Sequence, residues 1–154
     1  MTAPTTADRQ WMELAIELSR ECPPSQSAYS VGAVIVGEDG RDLARGYSRD
    51  GDPHVHAEES ALAKLPEAAP PLQAATLYST LEPCSRRASR PRSCTDLILE
   101  SGIGRVVIAW REPGLFVADC QGFERLTAGG VTVVELPEFA DRARAANSHL
   151  RLGS

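Results

Sequence analysis

Aromatic side chains are scarce in this chain, at 5% of its 154 residues, and no apolar run approaches the roughly 20 residues needed to cross a bilayer. The N-terminal stretch MTAPTTADRQ has no basic cluster leading into an apolar segment, so nothing in it reads as a secretory signal. Excess positive charge is also missing: 16 Lys and Arg stand against 21 Asp and Glu, for a formal charge of -5. That balance argues against a surface that grips nucleic acid or an anionic membrane by long-range attraction. Cysteine is sparse as well. The four present, Cys22, Cys84, Cys94 and Cys120, point in an intracellular chain to packing, metal or catalysis ahead of a disulfide framework. The expectation is a soluble, cytoplasmic protein with no membrane partner. Its length suits one hydrophobic core, hence a single domain over residues 1–154.

What the chain does have is regular alternation. Trp11, Leu14, Ala15 and Leu18 recur at helical spacing within residues 7–22, with Thr6 or Asp8 available as caps. VGAVIVG at 31–37 is a β-branched strand, and EDGRDLARGY turns through Asp-Gly into a second, more polar one, which makes a hairpin. HAEESALAKL opens a helix at the His, ended by Pro66, Pro70 and Pro71. The second half reads strand (ATLYST), helix (CTDLILESG, closed by Gly102), strand (RVVIAW), short helix (GFERLTAGG), strand (VTVVEL) and a terminal helix over 137–152. Strands apolar on both faces require helices on both sides. The architecture expected is α/β: a three-layer α-β-α sandwich around a mixed sheet of about five strands, with right-handed crossovers.

Two stretches carry chemistry: HVHAEESAL and LEPCSRRASRPRSC. If HAE opens one helix and the later Cys opens the next, then His56, Cys84 and Cys94 meet on one side of the sheet. One imidazole and two thiolates leave a tetrahedral Zn2+ with an open fourth position, the arrangement of a catalytic rather than a structural site. Zinc in such a site lowers the pKa of water from about 15.7 towards about 7. Glu58, two residues after the His and not itself a ligand, is placed to carry the proton. Helix N-termini favour thiolate at Cys84 and Cys94.

The run H-x-E, then P-C, then a second Cys is the signature of zinc deaminases, with nine residues between the cysteines here instead of the common two. Together with VGAVIV, ATLYSTLEPCS, CTDLILESGIGRVVIAWREP and GFERLTAGGVTV, it makes the chain resemble the cytidine deaminase-like superfamily. Within that superfamily, the resemblance is to the deaminase domain of bifunctional riboflavin biosynthesis deaminase/reductases, which also have a longer gap between their two cysteines. The resemblance implies zinc ligands at His56, Cys84 and Cys94, a proton-shuttling Glu58, the three-layer fold and a homodimer or larger assembly. The activity implied is a hydrolase acting on C–N bonds of cyclic amidines. The substrate implied is a small heterocyclic amine, such as an aminopyrimidine ribosyl phosphate or a related nucleoside or base. Three features depart from that pattern. Ala28 stands where those enzymes have an Asn, Ser60 where they have His or Asn, and RRASRPRSC replaces their HHGRTPPC-like loop.

The remaining polar residues each admit two readings. His54 reads as a solvated loop residue; as a fourth ligand it would close the site. Arg86, Arg87, Arg90 and Arg92 form either a phosphate clamp or a solvated loop. Glu82 either accepts from a substrate amino group or holds its own loop. Trp110, Arg111 and Phe116 either border the pocket or pack, Cys22 and Cys120 read as packing residues, and Glu59 reads as a helix-face charge. Two further functions compete with the deaminase reading. A nucleic-acid-editing deaminase needs a basic approach surface and stacking aromatics, both scarce here. A non-catalytic zinc-stabilised interaction module has no use for Glu58.

Overall fold

A computed structural model describes residues 3–26, 28–85, 91–111 and 121–150. Helix α1 (Thr6–Ser19) is set by a reciprocal cap just ahead of it: Thr5 Oγ1 accepts from Asp8 N at 3.0 Å, and Asp8 accepts from Thr5 N at 2.9 Å. Its inward stripe, Met12, Ala15 and Ile16, is wholly buried. Strands β1 (Gly32–Val36) and β2 (Asp42–Tyr47) form the expected antiparallel hairpin, turning through Gly40 at a left-handed φ of 82°.

Next come α2 (Ala57–Ala63), β3 (Thr76–Leu81), α3 (Cys94–Ser101), β4 (Arg105–Trp110), α4 (Gly122–Ala128), β5 (Thr132–Glu135) and α5 (Ala140–Ala145). The last helix is shorter than its sequence span suggests. A 3-10 turn at Pro137–Phe139 precedes it, and beyond it Asn147 turns its side-chain amide onto the Ala143 carbonyl and the backbone of Ser30.

The sheet order is β2-β1-β3-β4-β5, with β1 antiparallel to both neighbours and β3, β4 and β5 parallel. Helices α1 and α5 pack together over β3 and β4, while α2 meets β1, β2 and α3, and α4 meets α3 and β5. The two parallel crossovers run in the same direction across the sheet, so right-handed connections put α3 and α4 on one face. The result is three layers, with β1 buried at every position and β3 and β4 buried at all but their first.

One close approach seats the helix that follows the His. A Cβ on Gly46 would lie 2.4 Å from the Ala57 carbonyl oxygen and 2.5 Å from the Ala61 nitrogen. The backbone of α2 therefore rests directly on β2. The N-termini of α2 and α3 thereby reach the edge of the sheet where the parallel strands β3 and β4 end, the usual position of a site in an open α/β sheet.

Candidate active site

His56 occupies the N-cap of α2 with extended backbone (φ -92°, ψ 160°). Capping its backbone N–H falls to Glu59, whose carboxylate accepts from it at 3.2 Å, so Glu59 has a definite local role beyond that of a helix-face charge. The imidazole is turned to the cysteines: His56 Nδ1 lies 3.6 Å from Cys84 Sγ and 3.3 Å from Cys94 Sγ.

The second wall is the start of α3. Ser93 caps it through a reciprocal pair with Asp96, at 3.1 Å and 3.0 Å. This fixes Cys94 as the first helical residue, buried, with its N–H donating to Cys84 Sγ at 3.2 Å. Thr95 N donates to the Cys84 carbonyl at 3.0 Å. A hydrogen bond from the Cys94 side chain is the largest influence on the Cys84 thiol and lowers its pKa. Burial pushes it up, but His56 adds to the lowering and the net shift is downward, towards thiolate. Thiolate is the form that binds metal.

The three donor atoms lie within 4.8 Å of one another. Zinc bonds of about 2.0–2.1 Å to nitrogen and 2.3 Å to sulfur give a tetrahedral N···S edge of about 3.6 Å, which the observed separations approach. The donor set thus fits zinc in both chemistry and spacing. His54 is not part of the cluster; it is exposed, and its N–H donates to Asp52 at 2.8 Å. Glu58, in the first turn of α2, is only 4% exposed.

The other candidates divide. Glu82 is buried and accepts from Phe123 N at 2.9 Å, with Arg111 Nε 3.8 Å away, so in this structure it ties its own loop to α4. Arg92 pairs with Glu100, near the far end of α3. Arg86, Arg87, Arg90, Phe116 and Cys120 lie outside the described residues. Trp110 is buried at the end of β4, edge-on to Tyr29 at 5.7 Å between ring centroids, with the Arg144 guanidinium against its ring. Arg111 stacks on Phe123 and pairs with Glu124 at 2.9 Å. Cys22 sits beside β1, its Sγ 3.5 Å from the Val31 carbonyl, and burial pushes its thiol pKa up.

Three supporting residues gave no signal in the sequence. Arg49 has a left-handed φ of 62° and donates to the Pro23 and Tyr29 carbonyls and to Ser30 Oγ at 2.8–2.9 Å. It ties the loop before His56 to the loop before β1. Arg125 and Asn147 each bridge segments far apart in sequence. No local pattern distinguishes them from surface residues.

Residues 5–110 match the family model described as the cytidine and deoxycytidylate deaminase zinc-binding region. The chain is 41% identical over 134 residues to the diaminohydroxyphosphoribosylamino-pyrimidine deaminase of Schizosaccharomyces pombe, covering 86% of this chain and 33% of that protein. It is 41% identical over 105 residues to the riboflavin biosynthesis protein RibD of Escherichia coli, covering 68% of this chain and 26% of that one. Among solved structures, the bifunctional diaminohydroxyphosphoribosylaminopyrimidine deaminase and 5-amino-6-(5-phosphoribosylamino)uracil reductase of Thermotoga maritima aligns with a TM-score of 0.72 at 32% identity. That alignment covers 94% of this chain and 39% of the other. The chain spans about a third of the length of the first of these relatives.

Proposed function

Because this chain belongs to the cytidine and deoxycytidylate deaminase zinc-binding family, we propose that it is a hydrolytic deaminase of a small amino-substituted heterocycle, releasing ammonia. The observation that carries this reading is the convergence of His56 Nδ1, Cys84 Sγ and Cys94 Sγ within 4.8 Å; Glu58, two residues after His56 in the first turn of α2, is buried. Three protein donors, with no fourth in the cluster among the described residues, suit a catalytic zinc site.

When bound, zinc supplies the Lewis acidity that makes water a usable nucleophile near neutral pH. His56, Cys84 and Cys94 hold it. Glu58 takes a proton from the attacking water and delivers it to the ring nitrogen next to the amino-bearing carbon. It then moves the remaining hydroxyl proton to the departing amine, so that the C–N bond breaks, ammonia leaves and a ring carbonyl remains. A carboxylate positioned for such transfer contributes about 10²- to 10⁴-fold.

For the substrate we favour an aminopyrimidine ribosyl phosphate. The identity of this chain to the S. pombe and T. maritima aminopyrimidine deaminases supports it, as does the presence of Arg86, Arg87 and Arg90 in the sequence between the two cysteines, since guanidinium forks match phosphate. We place the enzyme in the cytoplasm, following the reading of its sequence, and as a homodimer, on the family resemblance. No helix among the described residues is long and apolar enough to cross a membrane.

The test is ammonia release by the zinc-loaded protein and by Glu58→Gln. The panel comprises cytosine, cytidine, CMP, guanine, creatinine and the diaminopyrimidinone ribosyl phosphate of flavin synthesis. Turnover of the ribosyl phosphate that disappears in Glu58→Gln, with zinc retained, is the expected outcome. Equal turnover of phosphorylated and unphosphorylated forms overturns the phosphate preference. Silence across the panel with zinc bound overturns the substrate class.

A further inference from the structure

Nine residues separate Cys84 from Cys94. The two segments are bonded to each other directly, through Cys94 N to Cys84 Sγ and Thr95 N to the Cys84 carbonyl, and are tied further by bonds from outside that stretch.

Helix α4 and the residue before it supply the outside bonds. Arg125 Nη1 donates to the Ser85 carbonyl at 3.2 Å, one residue past Cys84, and Nη2 donates to Asp96 Oδ1 at 2.5 Å, in the helical turn that Cys94 begins. Backbone donors at the start of α4 add to this: Gln121 N to Ser85 Oγ and Phe123 N to Glu82, both at 2.9 Å. A Cβ on Gly122 would stand 2.1 Å from the Pro83 carbonyl oxygen, so α4 lies directly on the residues leading to Cys84. One guanidinium thus spans both cysteine-bearing segments from a third element, which lies outside the residues 5–110 that match the family model.

We infer that Arg125 is a positioning residue for the metal centre, fixing the Cys84 segment against the first turn of α3 so that the two thiolates are held at metal-binding separation. This rests on the reading of His56, Cys84 and Cys94 as zinc ligands.

The partners' exposure separates positioning from general support. The Arg125 side chain is 38% exposed and that of Asp96 31%, and exposed pairs contribute little to global stability. Outer residues that orient metal ligands, by contrast, typically change metal affinity by about 10- to 100-fold when replaced. A residue that only supports the fold moves the melting temperature and leaves metal affinity alone; a positioning residue does the reverse.

The experiment compares the whole chain with Arg125→Ala, Arg125→Lys and Asp96→Asn. Zinc dissociation constants come from chelator competition, thiolate geometry from the visible spectrum of the Co2+-substituted proteins, and folding from circular dichroism melts. Arg125→Ala is expected to weaken zinc binding about tenfold or more and to alter the cobalt spectrum, with a small change in melting temperature. Arg125→Lys, which keeps a charge but not the fork, is expected to fall between it and the parent. Asp96→Asn combined with Arg125→Ala is expected to cost less than the sum of the two alone, because they share one bond. If Arg125→Ala does not fold, Arg125→Lys and Asp96→Asn carry the comparison. Folded variants with parental zinc affinity and an unchanged cobalt spectrum overturn the inference. A parent chain that binds neither metal overturns instead the zinc reading beneath it.

Discussion

At the scale of single residues, one heavily engaged charge lies outside the site. Asp8 is 2% exposed and receives both Arg105 Nη atoms at 2.8 and 2.7 Å, the Tyr78 hydroxyl at 2.7 Å and the Thr5 N–H at 2.9 Å. Burial pushes its pKa up, but the bonds from Arg105, Tyr78 and Thr5 together outweigh it and hold the carboxyl below its ordinary range. Burial and the bond to Asp8 raise the Tyr78 pKa in turn. Between the depressed folded value and the ordinary value, the unfolded chain binds more protons, so stability rises with pH there. The contribution is complete above the ordinary carboxylate range and fades as pH falls from about 4. Asp8→Asn is expected to lose about 3 kcal/mol at pH 7, by leaving Arg105 without its counter-charge, and to show a shallower acid dependence. Urea unfolding of both proteins between pH 3 and 7 measures this, and parallel pH curves would refute it. The residues proposed to bear chemistry, His56, Glu58, Cys84 and Cys94, stand out in the sequence because their identities and spacing are the signal, and the structure brings the His and the two Cys together. Asp8 appeared there only as a helix cap, since its partners are 70 and 97 residues away.

At the scale of elements, strands and helices fell close to their sequence-read spans because periodicity and glycine punctuation are local. Gly102, at φ 84°, closes α3 where the sequence placed the stop. The ends that shifted were decided by tertiary partners, as at α5, where Asn147 bonds back to Ala143 and across to Ser30. The seat of α2 was equally invisible, because what Gly46 faces depends on how the sheet packs. Gly46→Ala puts a methyl group against the backbone of Ala57 and Ala61. It is expected to cost about 1–3 kcal/mol and, by moving the helix that His56 caps, to weaken zinc binding. A thermal melt and a chelator titration read the two effects, and an unchanged chelator titration would show that the His side tolerates the shift.

At the scale of the whole molecule, the three-layer fold was readable from alternation alone, while the ties between its two ends were not. Asn147, 1% exposed, accepts from Ser30 N at 2.6 Å and donates to the Ser30 and Ala143 carbonyls at 3.1 and 3.2 Å. Asn147→Ala leaves the Ser30 N–H and carbonyl without that partner and is expected to cost about 3 kcal/mol in urea unfolding. A loss under 0.5 kcal/mol would mean that solvent replaces it.

The Asp8 cluster also bears on how the chain comes to be folded during synthesis. At about 5–20 residues per second, the 97 residues from Asp8 to Arg105 take roughly 5–20 s to polymerise. Through that interval β1 and β3, the strands α1 packs on, are already made, but the α1 carboxylate still lacks the guanidinium that neutralises it. The helix can therefore be covered on its apolar face before its buried charge is paired, and the neutralising bond is the last part of the Asp8 cluster to be made.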